Sequence, residues 1–352
     1  MKAVRLRTEY LDQPLGLGIR RPRFSWNCAG GIVQTAYQVT ATRGDETVWD
    51  SGKVLLNRMV NIRYEGAELR SRDRIEWTVT LWDEDDVPGT PTTTVFELGL
   101  LDDSDWRAQW ITGDYAPKRN RRYPVDCFRK TFPRRGAISR ARLYITAHGL
   151  YDAYLNGHRI GDAQLAPGST DYRTRLQYQT YDITDQLADD NSLEIRLADG
   201  WYRGSIGAYG PTNVFGRTTQ LLAQLEIDYV DGRTETVISD PSFQWSDDGP
   251  IRFADLKDGE VYDASRVPSY SGSARAAKPG LVPTAANNVP ARAKEQFTPA
   301  LLTTPPGARV LDFGQNIAGF VEFAVSARAG QTITLRMGEI LDADGEFTQE
   351  NF

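Results

Sequence analysis

Short runs that alternate apolar and polar residues dominate the chain, whereas the spacing of an amphipathic helix is nearly absent. Such alternation predicts half-buried β-strands. A first series contains residues 35–41 and 76–82. The acidic run at 83–86 ends that series, because Asp and Glu disfavour strands, and predicts a solvated hairpin turn rather than a cation site.

A second series of strands is predicted at residues 141–147, 151–155, 193–197 and 222–230. Residues 151–155 run into Asn156-Gly157, the dipeptide most favoured for a two-residue type I′ hairpin. Many short strands separated by turn signals are typical of β-sandwiches.

A third series, at residues 310–313, 320–325 and 332–336, is followed by a strand and turn at 339–347. Residues 100–106 and the Pro-, Ala-, Ser- and Gly-rich stretch 269–306 interrupt the strand pattern and indicate domain boundaries. Only about three strands of a last sandwich precede Phe352. We therefore expect this sandwich to be incomplete, cut at an open edge, and either the least ordered part or completed by a neighbouring molecule.

Length and charge restrict the function classes. A chain of 352 residues suggests two or three domains, and its net charge of -6 makes nucleic acid an unexpected partner. The short basic stripe of Arg119, Arg121 and Arg122 has acidic neighbours in sequence. No apolar run has the length of a signal peptide or membrane span. Cys28 and Cys127 are the only cysteines, which favours reduced thiols and a cytoplasmic protein.

The residues alone reveal no catalytic constellation. His148 and His158 are the only histidines; His158 follows a turn and is expected at the surface. No His/Cys cluster has zinc spacing, and no Gly-rich segment opens a helix. Residues 342–345 match only the start of a calcium loop and predict a plain turn. The 11% aromatic content hints weakly at carbohydrate, although core packing explains most aromatic residues.

Several sequence strings are more specific than composition. Residues 12–17 (DQPLGL), 21–26 (RPRFSW), 34–37 and 49–54 resemble the opening of α-L-rhamnosidases of glycoside hydrolase family seventy-eight. Residues 154–162, 165–172, 178–184 and 200–204 are similar to the family's jelly-roll domain, and 312–319 to the opening of its next sandwich. The strings occur in the family's order along nearly the whole chain.

The resemblance implies an all-β architecture of tandem β-sandwiches. It places an immunoglobulin- or fibronectin-III-like sandwich at 1–105, a jelly roll at 106–284 and an incomplete sandwich at 285–352. An (α/α)6 barrel with a general-acid and a general-base Glu follows in the family. No catalytic residue can therefore be assigned here, and we expect this chain alone to hydrolyse nothing.

The implied function is the N-terminal part of an inverting hydrolase that removes terminal α-L-rhamnose. Its partners are L-rhamnose-containing glycosides, with no nucleic acid and no membrane; a homo-oligomer is left open. The apolar surface that the barrel would cover is expected to be exposed.

In some relatives the jelly roll is a rhamnose-binding module that uses calcium. The matching region assigns substrate binding to Asp171, Trp201 and Asn213. Where that module has an Asp-Asn pair, this chain has Arg173-Thr174, and a guanidinium cannot replace a carboxylate ligand of calcium. We therefore assign no cofactor and no metal ligand. Trp201 is either a platform for an apolar sugar face or a core residue at a strand end.

Three hypotheses stay open at this point. The chain is an accessory region of a rhamnosidase, a working rhamnose-binding module, or a free-standing hydrolase with an unrecognised carboxylate pair on its sandwiches.

Overall fold

The computed structural model describes residues 1–118, 122–328 and 331–349. The chain divides into two compact units, 1–290 and 291–352. The described residues form 26 strands. The helical elements among them are one single-turn α-helix, α1 (Gly200–Arg203), and two 3-10 turns, at Asp103–Asp105 and Thr184–Gln186. The all-β fold class predicted from the alternating pattern is confirmed.

The first sandwich of unit 1 consists of two antiparallel sheets. Its strands are β1 (Lys2–Thr8), β2 (Arg23–Ala29), β3 (Ala36–Arg43), β4 (Glu46–Asp50), β5 (Ile62–Arg63), β6 (Arg74–Trp82) and β7 (Thr92–Glu97). One sheet has the order β1-β2-β5 and the other β4-β3-β6-β7. The predicted strands 35–41 and 76–82 coincide with β3 and β6, which pair with each other.

Aromatic side chains fill the core of the first sandwich. Phe24 stacks on Trp77 with ring centroids 4.4 Å apart, and Trp26 lies 5.4 Å from Tyr37. All four are buried. Phe24 and Trp26 are two residues apart on β2, the period that places side chains on one face of a strand. These aromatic residues therefore serve packing, not sugar binding.

The described residues of the jelly roll form sixteen strands. They are β8 (Ile111–Thr112), β9 (Asp126–Pro133), β10 (Ile138–His148), β11 (Leu150–Leu155), β12 (His158–Arg159), β13 (Ala163–Gln164), β14 (Gln177–Asp182), β15 (Asp190–Ala198), β16 (Gln220–Tyr229), β17 (Thr234–Ile238), β18 (Gln244–Ser246), β19 (Ile251–Asp255), β20 (Gly259–Tyr262), β21 (Gly272–Ser273), β22 (Arg275–Ala276) and β23 (Thr284–Ala285).

Two sheets of the jelly roll enclose its core. The first has the order β22-β8-β16-β10-β14-β23, with β17 also paired to β16, and the second has the order β12-β11-β15-β9-β18-β21. Leu143 and Leu225 of the first sheet pack with Phe128 and Ile195 of the second in one buried cluster. β19 and β20 form a separate hairpin.

Two predicted turns are confirmed. Asn156 and Gly157 have φ values of 52° and 81°, and a type I′ turn requires positive φ at both positions. In the acidic run, Oδ1 of Asp83 accepts hydrogen bonds from the backbone N–H groups of Asp85 and Val87, at 3.1 and 2.9 Å. Both turns are therefore determined by local chemistry.

Ion pairs and a buried tyrosine join the two sandwiches of unit 1. Glu97 of β7 pairs with Arg142 of β10, and Arg72 reaches Glu226 of β16. The hydroxyl of Tyr178 donates to the carbonyl of Leu100 at 3.0 Å. Strand β23 crosses the predicted boundary at 284/285 and still pairs with β14. The predicted boundaries at 105/106 and 284/285 stay predictions.

Unit 2 contains the strands β24 (Ala291–Arg292), β25 (Ala300–Thr303) and β26 (Arg309–Asp312). β25 and β26 form an antiparallel hairpin, and β26 coincides with the predicted strand 310–313. The strands predicted at 320–325 and 332–336 are wrong: both segments lie outside strands. An alternating run becomes a strand only when a neighbour pairs with it and a second layer buries its face.

Apolar side chains of unit 2 are exposed along this irregular part of the chain. Phe320 is 70% and Phe323 is 55% exposed. Other exposed apolar residues there are Ile317, Val321, Val325, Ile333, Leu335, Met337, Ile340 and Leu341. Whether this segment is the surface that a barrel would cover, and whether a neighbouring molecule completes the last sandwich, stay predictions. The final residues Asn351 and Phe352 lie outside the described part of the chain.

Candidate functional site

The three residues predicted to bind substrate lie on the segments that connect β13 to β16. Asp171 lies between β13 and β14, Trp201 is part of α1, and Asn213 lies between α1 and β16. Asp171 is exposed, whereas Trp201 and Asn213 are half-buried. The backbone N–H of Asn213 donates to the carbonyl of Arg203 at 2.8 Å. This hydrogen bond connects α1 to the segment between α1 and β16.

Three rings in contact, Tyr172, Tyr202 and Phe215, form what we call the aromatic group. Tyr172 lies 5.2 Å from Tyr202 and 5.2 Å from Phe215, at interplanar angles of 81° and 59°. Trp201 packs against the same cluster. Tyr172 is 5% exposed, whereas Tyr202 and Phe215 are half-buried. Asp171 and Trp201 are each next to one of these rings in sequence and Asn213 is two residues from Phe215, and the assignment of substrate binding to the three residues stays a prediction.

The carboxylate of Asp171 is engaged by Arg173. Nε of Arg173 donates to Oδ1 at 2.9 Å, Nη2 donates to Oδ2 at 3.3 Å, and the backbone N–H of Arg173 donates to Oδ1 at 3.1 Å. These side-chain hydrogen bonds lower the pKa of Asp171 and raise the pKa of Arg173. The guanidinium carbon lies 5.2 Å from the ring centroid of Phe215. Asp171 therefore orients an arginine over the aromatic group.

The position of Trp201 depends on both ends of α1. A helix of four residues is not stable by itself. At its start Gly200 has φ +51°, and a Cβ there would lie 2.5 Å from Cγ of Leu150, so only glycine fits. At its end Arg203 is 3% exposed, and its Nε donates to Oδ1 of Asp199 at 2.7 Å. Arg203 thus anchors both Trp201 and, through its carbonyl, Asn213.

Behind Arg203 lies a buried carboxylate, Asp126. Its Oδ1 accepts the indole N–H of Trp245 at 2.9 Å, and its Oδ2 accepts the hydroxyl of Thr219 at 2.6 Å. Burial raises the pKa of Asp126, although the positive charge of Arg203 opposes the shift. The hydroxyl of Tyr115 accepts from Nη1 of Arg203 at 2.5 Å and donates to Asp126 at 3.2 Å. These groups support the segment 199–219.

His148 is buried below the aromatic group. Its imidazole stacks between Trp110 and Tyr202, with centroid distances of 4.7 and 4.6 Å. Nδ1 lies 3.1 Å from Oε1 of Gln220, a contact that the Nδ1–H tautomer satisfies because an amide oxygen accepts, and Nε2 has no hydrogen-bond partner among the described residues. Burial lowers the pKa of His148 to about 4. His148 is therefore a neutral packing residue, whereas His158 is exposed.

The donor set at Asp171 does not fit a calcium ion. The guanidinium of Arg173 binds both carboxylate oxygens and would place like charge beside the cation. Among the described residues, no group of three or more His, Cys, Asp or Glu is arranged to hold a metal. In unit 2, Oδ1 of Asp342 accepts the backbone N–H of Asp344 at 2.9 Å and of Glu346 at 2.8 Å, so this motif is the predicted turn.

No helix in the described part of the chain is long and apolar enough to span a membrane. Of the short basic stripe, Arg119 and Arg121 lie outside the described residues. Arg122 is ion-paired with Asp258 at 2.8 Å.

Sequence reasoning missed the residues that build the aromatic surface. Tyr172, Tyr202 and Phe215 are close in sequence to the predicted residues, but no local pattern shows that their rings meet. Arg203 belongs to the string 200–204 that resembles the family, but its burial carried no signal, because a buried arginine cannot be distinguished from an exposed one by sequence in an irregular segment.

Three family models match the chain in succession. Residues 3–102 match a Rha78A-like, N-terminal immunoglobulin domain, and residues 136–301 match the alpha-L-rhamnosidase N-terminal domain. Residues 302–352 match the bacterial alpha-L-rhamnosidase concanavalin-like domain.

Relatives agree with these models over nearly the whole chain. An alpha-L-rhamnosidase of Formosa agariphila is 31% identical over 98% of this chain and 40% of its own length. The structure of Streptomyces avermitilis alpha-L-rhamnosidase complexed with L-rhamnose matches with a TM-score of 0.87 and 27% identity, covering 99% of this chain and 52% of that one. The Aspergillus terreus enzyme matches with a TM-score of 0.82 and 30% identity, covering 90% and 39%. The chain thus spans about half or less of these relatives' length.

The fold first defines a class, proteins built from tandem β-sandwiches. The chain belongs to the α-L-rhamnosidase family, glycoside hydrolase family seventy-eight, and corresponds to the N-terminal domains of its members. The resemblance seen in the sequence strings is confirmed.

Proposed function

We propose that this chain is the accessory, non-catalytic region of an inverting α-L-rhamnosidase, which removes terminal α-L-rhamnose from glycosides. The observation that carries the proposal is the TM-score of 0.87 over 99% of the chain with a rhamnosidase structure of which the chain covers 52%. The three successive family models support the same assignment.

The chain by itself is expected to be inactive. Glycoside hydrolysis needs two carboxyl groups on either side of the scissile bond. Three of the buried carboxylates have structural partners: Glu97 binds Arg142, Asp199 binds Arg203, and Asp126 binds neutral donors. This leaves them poorly suited to proton transfer with a substrate.

The test is turnover of 4-nitrophenyl α-L-rhamnoside by the pure chain, with a complete rhamnosidase as the positive control. We expect no release of nitrophenol above the buffer rate. Turnover that stays at constant specific activity through further purification would show that the free-standing hydrolase hypothesis is right.

A second function, capture of rhamnose by the jelly roll, is favoured by the half-buried Trp201, which packs against the same cluster as Tyr202 and Phe215. A half-exposed indole can stack on an apolar sugar face, and rhamnose adds the methyl group at C6. The relevant measurement is calorimetric titration with L-rhamnose, with and without calcium. Trp201→Ala should abolish saturable binding, whereas the control Trp82→Ala, a half-buried tryptophan of the first sandwich, should not. Absence of heat for the intact chain would leave only the accessory role.

A cytoplasmic location completes the proposal, and whether the chain forms a homo-oligomer stays open. Both cysteines are free, with Cys28 half-buried and Cys127 buried, which supports a reducing compartment. Sedimentation of the purified chain would measure its oligomeric state.

A further inference from the structure

Basic side chains border the aromatic group in a protein that is acidic as a whole. The segments that carry Tyr172 and Phe215 contain Arg173, Arg175 and Arg217 against a single acid, Asp171, a local formal charge of +3 − 1 = +2, whereas the chain carries -6. All three arginines are exposed. A local reversal of charge sign raises the local concentration of anions.

Arg173 is presented for recognition. The carboxylate of Asp171 accepts hydrogen bonds from Nε and Nη2 of Arg173. The ring centroid of Phe215 lies 5.2 Å from the guanidinium carbon. These two contacts determine the plane of the guanidinium. Nη1 has no hydrogen-bond partner among the described residues, so the edge formed by Nη1 and Nη2 faces no acceptor of the protein. A planar fork of this kind matches a carboxylate at two points.

We propose that the segments around Arg173 select acidic glycans, with Arg173 binding the carboxylate of a uronic acid residue while the half-buried rings of Tyr202 and Phe215 contact the sugar. The proposal rests on sugar binding by the jelly roll and adds the substrate class. Arg173 is then the residue that determines specificity for charge.

The chain contains a matched case in which the same local structure lacks the aromatic surface. Arg233 is bound to Asp231 through Nε at 2.9 Å and through its backbone N–H at 3.1 Å, and it lies 5.2 Å above the ring of Tyr229. Tyr229 is 3% exposed, and its hydroxyl donates to Glu235 at 2.9 Å. A carboxylate at Arg233 would meet Glu235 and no exposed ring, so Arg233→Ala is the control variant.

The experiment titrates the full chain with two probes, a rhamnosyl-glucuronic acid disaccharide and the same disaccharide with its carboxyl group reduced to the alcohol. At low salt we expect about tenfold tighter binding of the acidic probe, a ratio typical of one charge-assisted contact. Arg173→Ala should bring the ratio to about one, and Arg173→Lys should leave an intermediate ratio because it keeps the charge and loses the fork. Arg233→Ala should keep the wild-type ratio, and the ratio should fall as salt increases.

Each outcome has one meaning. Equal affinity for both probes would overturn the preference for acidic glycans and leave sugar binding intact. A preference that survives Arg173→Ala would overturn the role of Arg173. Failure of both probes to bind would overturn sugar binding as well. Circular dichroism and thermal melting of each variant verify that the fold is retained.

Discussion

Arg142 of the jelly roll and Glu97 of the first sandwich form a two-point salt bridge, with Nε–Oε1 and Nη2–Oε2 distances of 2.8 and 2.9 Å. They are 8% and 4% exposed. A buried pair of this kind contributes little net stability over an apolar pair, but loss of one partner leaves an uncompensated charge. The two sandwiches are therefore joined by a contact that is sensitive to single substitutions.

Glu97→Gln should destabilise the chain by about 2 kcal/mol, because it leaves the Arg142 guanidinium with the exposed carboxylate of Asp182, 2.7 Å from Nη1, as its counter-charge. Denaturant unfolding followed by tryptophan fluorescence measures the change. The double variant Glu97→Leu/Arg142→Met should recover part of the loss. An unfolding midpoint that Glu97→Gln does not move would mean that the pair is solvated in solution.

The stability of the jelly roll should depend on His148 in acid. Burial lowers its pKa from 6.5 to about 4, so between these pH values the unfolded chain binds a proton that the folded chain excludes. The stability that the neutral, buried His148 gives to the folded chain is therefore complete above pH 6.5. About 3 kcal/mol of the free energy of unfolding is lost as the pH falls from 6.5 to 4.

The variants His148→Phe and His148→Gln isolate this effect from the titration of carboxylates. Their unfolding free energies, measured from pH 4 to 7, should depend less on pH than that of the wild type. If the unfolding free energies of all three proteins change with pH in parallel, His148 is not the group that makes the jelly roll sensitive to acid.

Arg203→Met should disturb the candidate site from within. It leaves the carboxylate of Asp199 buried without its partner, which costs about 3 kcal/mol. We also expect faster hydrogen exchange across residues 204–219, since the segment loses its anchor. Arg217→Met, a change to an exposed arginine of the same segment, should leave exchange at the wild-type rate.

Alanine substitutions at Gly157 and Gly200 distinguish the cost of a positive φ from the cost of steric overlap. At Gly157, φ is +81° and an added Cβ would have nothing within 4 Å, so Gly157→Ala should cost only about 1 kcal/mol. At Gly200, φ is +51° and the Cβ would overlap Leu150, so Gly200→Ala should cost more. Thermal melts of the two variants provide the comparison, and equal losses would mean that Leu150 moves aside.

Much of unit 1 could be predicted from the sequence. The runs at 35–41 and 76–82 become β3 and β6, and Asn156-Gly157 forms the predicted turn. In unit 2 the same alternation failed at 320–325 and 332–336. The pattern was equally clear there, but no described strand pairs with either segment, so alternation alone did not produce a sheet.

The sequence by itself determined the strand periods, the turn types and the family, because each depends on residues adjacent in the chain or on strings kept in order. Only the tertiary structure decided which side chains meet. Arg72 and Glu226 are 154 positions apart, and Arg203 meets Tyr115 across 88. Contacts of that range follow from how sheets pair and pack. For that reason the aromatic group and the guanidinium above it could not be predicted from local pattern.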